Sequence, residues 1–248
     1  MENYINNYDS FEKIMVYDFT LGAGGIGDCI KFFMFVLNIC MKTNTRLYYK
    51  KNNIEIEKYI KLIYENMYIT EDEIKKLNGV QIVEPGMYYS TINYDYIIIK
   101  DVFYFTDEVK INSKYLFPIE TNYISIHLRL GDKYLETDKN YVAVKEDTRV
   151  FSNENIYNFI EDNSNNNIFF CCDNNDYKQK IKEKYNNIII THCDIGHSSL
   201  SNTTPKQVLD AITEFYILVN SIMIYGASCS GFSKVASQFN NIQLINGF

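Results

Sequence analysis

His127, Arg129 and Asp132 stand close together in an H-x-R-x-G-D string, with Gly131 for a tight backbone turn. They close residues 123–128, where Ile124, Ile126 and Leu128 alternate with small or polar residues, the pattern of a buried strand running into a loop. Lysine and arginine total 24, yet arginine occurs only as Arg46, Arg129 and Arg149. A guanidinium at a strand's carboxyl end, in a chain that otherwise uses lysine, points to a planar anion gripped by two parallel N–H donors. Ligands of open α/β sheets sit at that end of the strands. The same residues admit a plainer reading, in which Arg129 and Asp132 pair and brace the loop.

Three further stretches carry chemistry. Residues 226–233 (GASCSGFS) join a strand-like run to a helical one. Their amides and hydroxyls therefore sit at a helix N-terminus, where the dipole and unpaired N–H groups favour a phosphate. An ordinary cap needs one serine, whereas Ser228, Ser230 and Ser233 stand here, with Gly231 and Phe232 between them. Residues 21–28 (LGAGGIGD) lie between a strand and an apolar helix, and Gly22, Gly24 and Gly27 satisfy G-x-G-x-x-G, a phosphate cradle. A nicotinamide-binding half would want an acidic residue after the second strand. Lys50 and Lys51 stand there, which suits the 2′-phosphate of NADP and makes an NADP-dependent oxidoreductase the rival reading. A glycine turn needed only for helix–strand packing is the third. The last stretch, 205–220, sets Asp210 and Glu214 one turn apart on one helix face. Glu214 lies in an apolar segment, and a buried carboxylate needs donors. A lysine could supply them, or guanine, whose N1–H and exocyclic amine lie side by side.

The elements that position these residues alternate. Strands are expected at 14–19, 46–49, 80–83, 94–99, 123–128, 168–172, 188–191, 223–225 and 242–245. Helices are expected at 29–42, 54–67, 70–77, 152–163, 174–184, 205–220 and 232–239. Thr204, Pro205 and Gln207 form a capping box with proline at the first helical position. Residues 101–118 show no clean period, and 118–121 read as the seam between two halves. The long polar stretch 130–149 reads as substrate-facing. Alternating β and α units of this length specify a doubly wound parallel sheet.

Composition sets outer bounds. The 248 residues, 46% hydrophobic, allow one large α/β domain or two small ones. A net charge of −7 argues against a general nucleic-acid binder. Cys29, Cys40, Cys171, Cys172, Cys193 and Cys229 include no C-x-x-C pair and read as reduced core residues. The opening MENYINNYDS is unlike a signal peptide, and the apolar run 32–41 is too short to span a bilayer, so a soluble, cytoplasmic protein is expected.

In this order, the three motifs resemble the GT-B fucosyltransferase superfamily of α1,2-, α1,6- and protein O-fucosyltransferases, which use GDP-fucose. His127–Asp132 resembles its first motif, Ile168–Asp173 its middle motif of a strand ending in acid, and Asp210–Glu214 through Ser228–Ser233 its third. Gly24, Gly25, Gly27 and Asp28, with the apolar helix after them, are similar to the family's start. The resemblance implies a GT-B-like α/β fold of two Rossmann-like halves. Residues 1–120 would form a reduced acceptor-side domain and 121–248 the nucleotide-sugar-binding domain. It also implies that Arg129 holds the β-phosphate, that His127 lies by the guanine and phosphates, and that Asp173 belongs to the donor site. Glu214, or failing it Asp210, would read guanine, while Ser228, Ser230, Gly231, Phe232 and Ser233 would bind phosphate.

The expected reaction is inverting transfer of L-fucose from GDP-fucose to a glycan hydroxyl, with Asp28 and Asp132 as candidate bases. No metal or further cofactor is expected, because a positive clamp already faces the pyrophosphate. Competing motifs fail: Ser199 stands where a phosphatase loop beginning at Cys193 needs arginine. His192, Cys193 and His197 lack a fourth zinc ligand at finger spacing and read as solvated loop residues. Asp173–Asp176 lacks the D-x-D triplet of metal-dependent transferases. A catalytically inactive sugar or nucleotide binder is the remaining reading.

Overall fold

The computed structural model describes residues 1–86, 97–118, 122–131, 149–198 and 200–248. Helix α1 (Glu2–Asn6) leads to strand β1 (Lys13–Tyr17) and then to helix α2 (Ile26–Thr43). One face of α2 buries Ile26, Ile30, Phe33, Met34 and Leu37 at helical spacing. The helix ends at Asn44, which takes the left-handed conformation at φ 50°. Strand β2 (Thr45–Lys50) buries every second residue. Helix α3 (Ile56–Tyr59), strands β3 (Ile60–Leu62) and β4 (Tyr68–Ile69), helix α4 (Glu71–Ile74) and strand β5 (Val80–Val83) follow. Strand β6 (Phe103–Phe105) and helix α5 (Asp107–Leu116) complete this half.

Among the described residues the second half alternates: β7 (Ile124–Leu128), α6 (Asn153–Asp162), β8 (Ile168–Cys172), α7 (Asn175–Lys184), β9 (Ile188–Ile189), α8 (Pro205–Val219), β10 (Met223–Gly226), α9 (Gly231–Phe239) and β11 (Gln243–Asn246). Among the described residues there are two parallel sheets, ordered β4-β2-β1-β5 and β11-β10-β7-β8-β9, and an antiparallel pair β3-β6. In the second sheet the chain winds outward from β7 through β8 and β9, then crosses to β10 and β11. The direction therefore reverses between β7 and β10, where a crevice opens at the strands' carboxyl ends. Alternation in β8 shows the double winding. Ile168, Phe170 and Cys172 pack with Ile156, Ile160 and Ile181 from α6 and α7, whereas Phe169 and Cys171 join the core that holds Ile212 and Phe215 of α8.

That second core runs without a break into the first half. Phe105 of β6 meets Tyr216 at 5.0 Å and Phe239 at 4.9 Å between ring centroids. Phe105 and Phe239 are buried there and Tyr216 is partly buried and edge-on to Phe105, so the seam gains from both area and ring geometry.

Residues 54–67 depart from expectation. The helix there stops after Tyr59, because Ile60 and Leu62 are buried on one side of β3, which pairs antiparallel with β6. The β-branched residues and the Tyr68 hydroxyl, which accepts from the Leu62 amide at 2.8 Å, favour the extended form. Residues 101–118, aperiodic in sequence, divide into β6 and α5. Of the strand expected at 94–99, residues 94–96 lie outside the described residues and 97–99 are not strand, since Ile99 opens a 3-10 turn (Ile99–Asp101) whose Val102 amide bonds back to the Ile99 carbonyl; residues 119–121 of the seam also lie outside the described residues. Among the described residues, no helix is long and apolar enough to cross a membrane.

Candidate functional site

A cleft of about 840 Å³ opens at the carboxyl ends of β7 and β8 and reaches the N-termini of α2 and α9. The two helix ends approach closely: a Cβ on Gly27 would lie 2.8 Å from the Gly231 carbonyl oxygen. Glycine is required there by space rather than by φ, and the contact brings the glycine loop of one half against the serine loop of the other. Gly24 is constrained differently, by φ of +138° and by Asp28 standing where its Cβ would be. Asp28 accepts from the Gly25 amide at 3.2 Å and from Lys31 Nζ at 2.8 Å, fixing the first turn of α2.

Arg129 enters from the end of β7. Its Nη1 donates to Asp173 Oδ2 at 2.7 Å, while Asp173 also accepts from the Leu130 amide at 2.8 Å and the Gly131 amide at 3.1 Å. Asp173, the residue after β8, braces Arg129; Asp132, the partner expected from sequence, lies outside the described residues. Asp173, expected to bind the donor, stands here as the group that orients Arg129. Ser228 Oγ accepts from the Arg129 amide and donates to the Arg129 carbonyl, both at 2.9 Å, tying the serine loop to β7.

Of the residues singled out by sequence, Gly24, Gly25, Gly27, Asp28, His127, Arg129, Asp173, Glu214, Ser230, Gly231 and Phe232 line the cleft. Ser228, Ser233 and Asp210 stand behind its wall, fully or almost fully buried. Ser230 caps α9, accepting from the Phe232 amide at 3.2 Å; Ser233 bonds to the Ser230 carbonyl, and Asp210 pairs with Lys206.

Glu214 forms the floor, and its donor is a lysine. Lys178 of α7, with no exposed surface, donates to Glu214 Oε1 at 2.5 Å. Thr191 donates to the same oxygen, and the Cys171 thiol to Oε2 at 3.4 Å. Burial opposes the Lys178 charge, but the Glu214 carboxylate carries its pKa above the usual value.

His127 is buried, its ring stacked on Phe232 at 5.1 Å, and its Nδ1 has no hydrogen-bond partner among the described residues. Burial first, then the charges of Arg129 and Arg149, push its pKa down to about 3. The imidazole is therefore neutral at ordinary pH. Between pH 6.5 and about 3 the unfolded chain binds a proton that the folded one refuses, so stability should fall with pH across that window. The loss at pH 5 should be about 2 kcal/mol. Urea unfolding at pH 7.5 and pH 5 should show that extra loss in wild type and not in His127→Gln. Equal losses would mean that His127 titrates normally in the fold.

Two residues of the site were not assigned a role from sequence. Arg149 donates to the Cys229 carbonyl at 3.0 Å and lines the cleft; its signal was the scarcity of arginine. Lys178 shares a helical face with Ile181, so a lysine on the apolar stripe was its signal. Of the three loop residues expected to be solvated, His192 is exposed, but Cys193 is buried, as are Ile195, Ser198 and Leu200, and His197 and Ser198 stand beside Gly25 at the cleft. Lys50, which kept NADP open, is engaged by Asp18 and Glu71 at 2.9 and 2.8 Å, while Lys51 lies over the Tyr68 ring. Neither lysine lines the cleft.

No protein-family model matches the sequence, and no curated protein matches it by sequence. Solved structures do match by shape. Fucosyltransferase NodZ from Bradyrhizobium aligns over 94% of this chain and 92% of its own at 9% identity, with a TM-score of 0.61. POFUT1 in complex with GDP aligns over 96% and 98% at 10% identity and 0.60. A mutant of Arabidopsis thaliana FUT1 in complex with GDP aligns over 99% and 74% at 12% identity and 0.61. The fold is thus the GT-B-like α/β fold of these fucosyltransferases, with a first half built on four parallel strands.

Proposed function

We propose that the protein is an inverting glycosyltransferase that moves L-fucose from GDP-fucose to a hydroxyl of a glycan. The observation that carries this reading is Arg129, aimed by Asp173 into a cleft that the α9 N-terminus also faces. Support comes from the fold shared with fucosyltransferases, including GDP complexes.

In this reading the donor diphosphate lies between Arg129 and the capped start of α9. Guanidinium, backbone N–H groups and the helix dipole meet negative charge that grows on the leaving GDP. The acceptor oxygen attacks the anomeric carbon from the opposite face, through an oxocarbenium-like transition state. Asp28, on the first-half side of the cleft, and Asp132 are the candidate bases. His127, neutral, offers a ring nitrogen without adding charge. Glu214 keeps Oε2, which otherwise receives only a weak thiol donor, for the guanine edge. Leaving-group stabilisation by cationic side chains makes a divalent metal unnecessary, and turnover should persist in EDTA.

A thermal-shift panel of GDP, UDP, ADP, CMP and NADP tests the donor class. At 100 times its dissociation constant a ligand stabilises by about 2.7 kcal/mol. In a chain of this size that is on the order of 5–10 °C. GDP should give the largest rise, and GDP-fucose with a glycan acceptor should release GDP. A response to NADP alone would replace this reading by the oxidoreductase, and tight GDP binding without turnover by an inactive binder.

A further inference from the structure

We propose that Lys178 and Thr191 set the base specificity of the donor site without touching the base: they hold Glu214 Oε1, so that Glu214 meets the nucleobase through Oε2. The inference rests on the donor reading above and deepens it, by assigning the residues that position its base reader.

The two oxygens of Glu214 stand in different surroundings. Oε1 accepts from Lys178 Nζ at 2.5 Å and from the Thr191 hydroxyl. Each oxygen of an ionised carboxylate offers about two lone-pair sites, so Oε1 is filled. Among the described residues, Oε2 accepts from the Cys171 thiol alone, at 3.4 Å, and a thiol is a weak donor. Burial, and then the Glu214 charge, push that thiol well above its ordinary pKa, so it keeps its proton and remains the donor.

The clamp is complete on its own side. An ammonium has three N–H donors, and Lys178 meets three acceptors: Glu214 Oε1, then the carbonyl and the hydroxyl of Thr191, both at 3.4 Å. Lys178 comes from α7, Thr191 from the segment after β9 and Glu214 from α8, so three elements fix one oxygen. Glu214 and Cys171 line the cleft, whereas Lys178 and Thr191, at 0% and 2% exposure, stand behind its wall. The acceptor capacity left over thus belongs to the member of the triad that borders the cleft. An acceptor there suits the N–H edge of a base and repels phosphate, which fixes the end of a nucleoside diphosphate that enters. The last torsion of a glutamate is broad, so an unheld carboxylate would turn either oxygen to the ligand. Held by Lys178 and Thr191, it is ordered before the ligand arrives, and binding does not have to order it.

Calorimetry with GDP and with inorganic pyrophosphate, on wild type, Thr191→Val, Thr191→Ser and Lys178→Met, tests the proposal, with circular dichroism as a folding control. The ratio of GDP to pyrophosphate affinity should fall about fivefold in Thr191→Val, the effect of one hydrogen bond, and about tenfold or more in Lys178→Met. Thr191→Ser keeps the hydroxyl and should stay within about twofold of wild type. In turnover, Thr191→Val and Lys178→Met should raise the KM for the donor more than they lower kcat, because the base is bound alike in ground and transition states. A merely structural role would lower the melting temperature and leave the affinity ratio where it was. An unchanged ratio in the variants that fold, with wild type still preferring GDP to UDP, overturns the clamp and spares the guanine reading; should Lys178→Met not fold, Thr191→Val decides. If wild type prefers UDP, the guanine reading fails, and the same ratios taken with UDP decide the clamp. If wild type binds no nucleoside diphosphate, both fail.

Discussion

Arg129→Lys is expected to leave the protein folded and to lower the rate of sugar transfer at least about 100-fold, the effect of removing one preorganised donor from a developing oxyanion. Lysine keeps the charge, so a loss of this size would come from geometry. Asp173 accepts from Arg129 at 2.7 Å and from two backbone amides, which fixes a carboxylate beside the side chain. A planar guanidinium satisfies that carboxylate with one nitrogen while its fork still faces the cleft. An ammonium is a single point of charge, and bonding to Asp173 turns it away from a phosphate. Because charge accumulates on the leaving group in the transition state, the loss should fall on kcat more than on KM. The Asp173 amide bonds remain, so the melting temperature should move little. A lysine variant within threefold of the wild-type rate would show that Arg129 does not carry the leaving group.

Lys178→Met should destabilise the fold by about 3–5 kcal/mol, the usual result of removing one partner of a buried pair. For a chain of this length the melting temperature should fall by about 6–20 °C. Methionine fills the space of the lysine stem, so packing is not the cause. Lys178 has no exposed surface and lies 2.5 Å from Glu214, itself 4% exposed, so the variant leaves a carboxylate with only hydroxyl and thiol donors. Adding Glu214→Leu to Lys178→Met removes the orphaned charge, and at least half of the lost stability should return. A single variant that melts within about 2 °C of wild type would mean that water already reaches Glu214. The double variant also separates stability from recognition: if Glu214 reads guanine, it should fold yet bind GDP no better than UDP.

How much of this was legible in the sequence depends on the range of the forces involved. The capping boxes at Thr70–Glu73 and Thr204–Gln207, the alternation in β7, the continuous apolar run of β8 and the glycines at the start of α2 are local features, each decided by neighbours within a turn or a strand. They were readable, and so was the motif order that resembles GT-B fucosyltransferases. That fold is shared with structures only about 10% identical, because it is held by apolar periodicity rather than by particular residues.

Partnerships were not readable. Arg129 took Asp173, 44 residues away, because β7 and β8 lie side by side in parallel register and bring their ends together. Glu214 took Lys178, 36 residues before it. Ser228 met the Arg129 backbone across 99 residues, which drew it, with Ser233, behind the wall that the serine motif was expected to line. Residues 54–67 failed for the same reason, since Ile60 and Leu62 became a strand only when β6 arrived to pair with them. The sequence by itself determined the elements whose pattern is local and which residue types stand at the ends of the strands. Tertiary structure alone decided which charges neutralise one another, because Coulomb attraction and burial act over distances that only strand register and helix packing define.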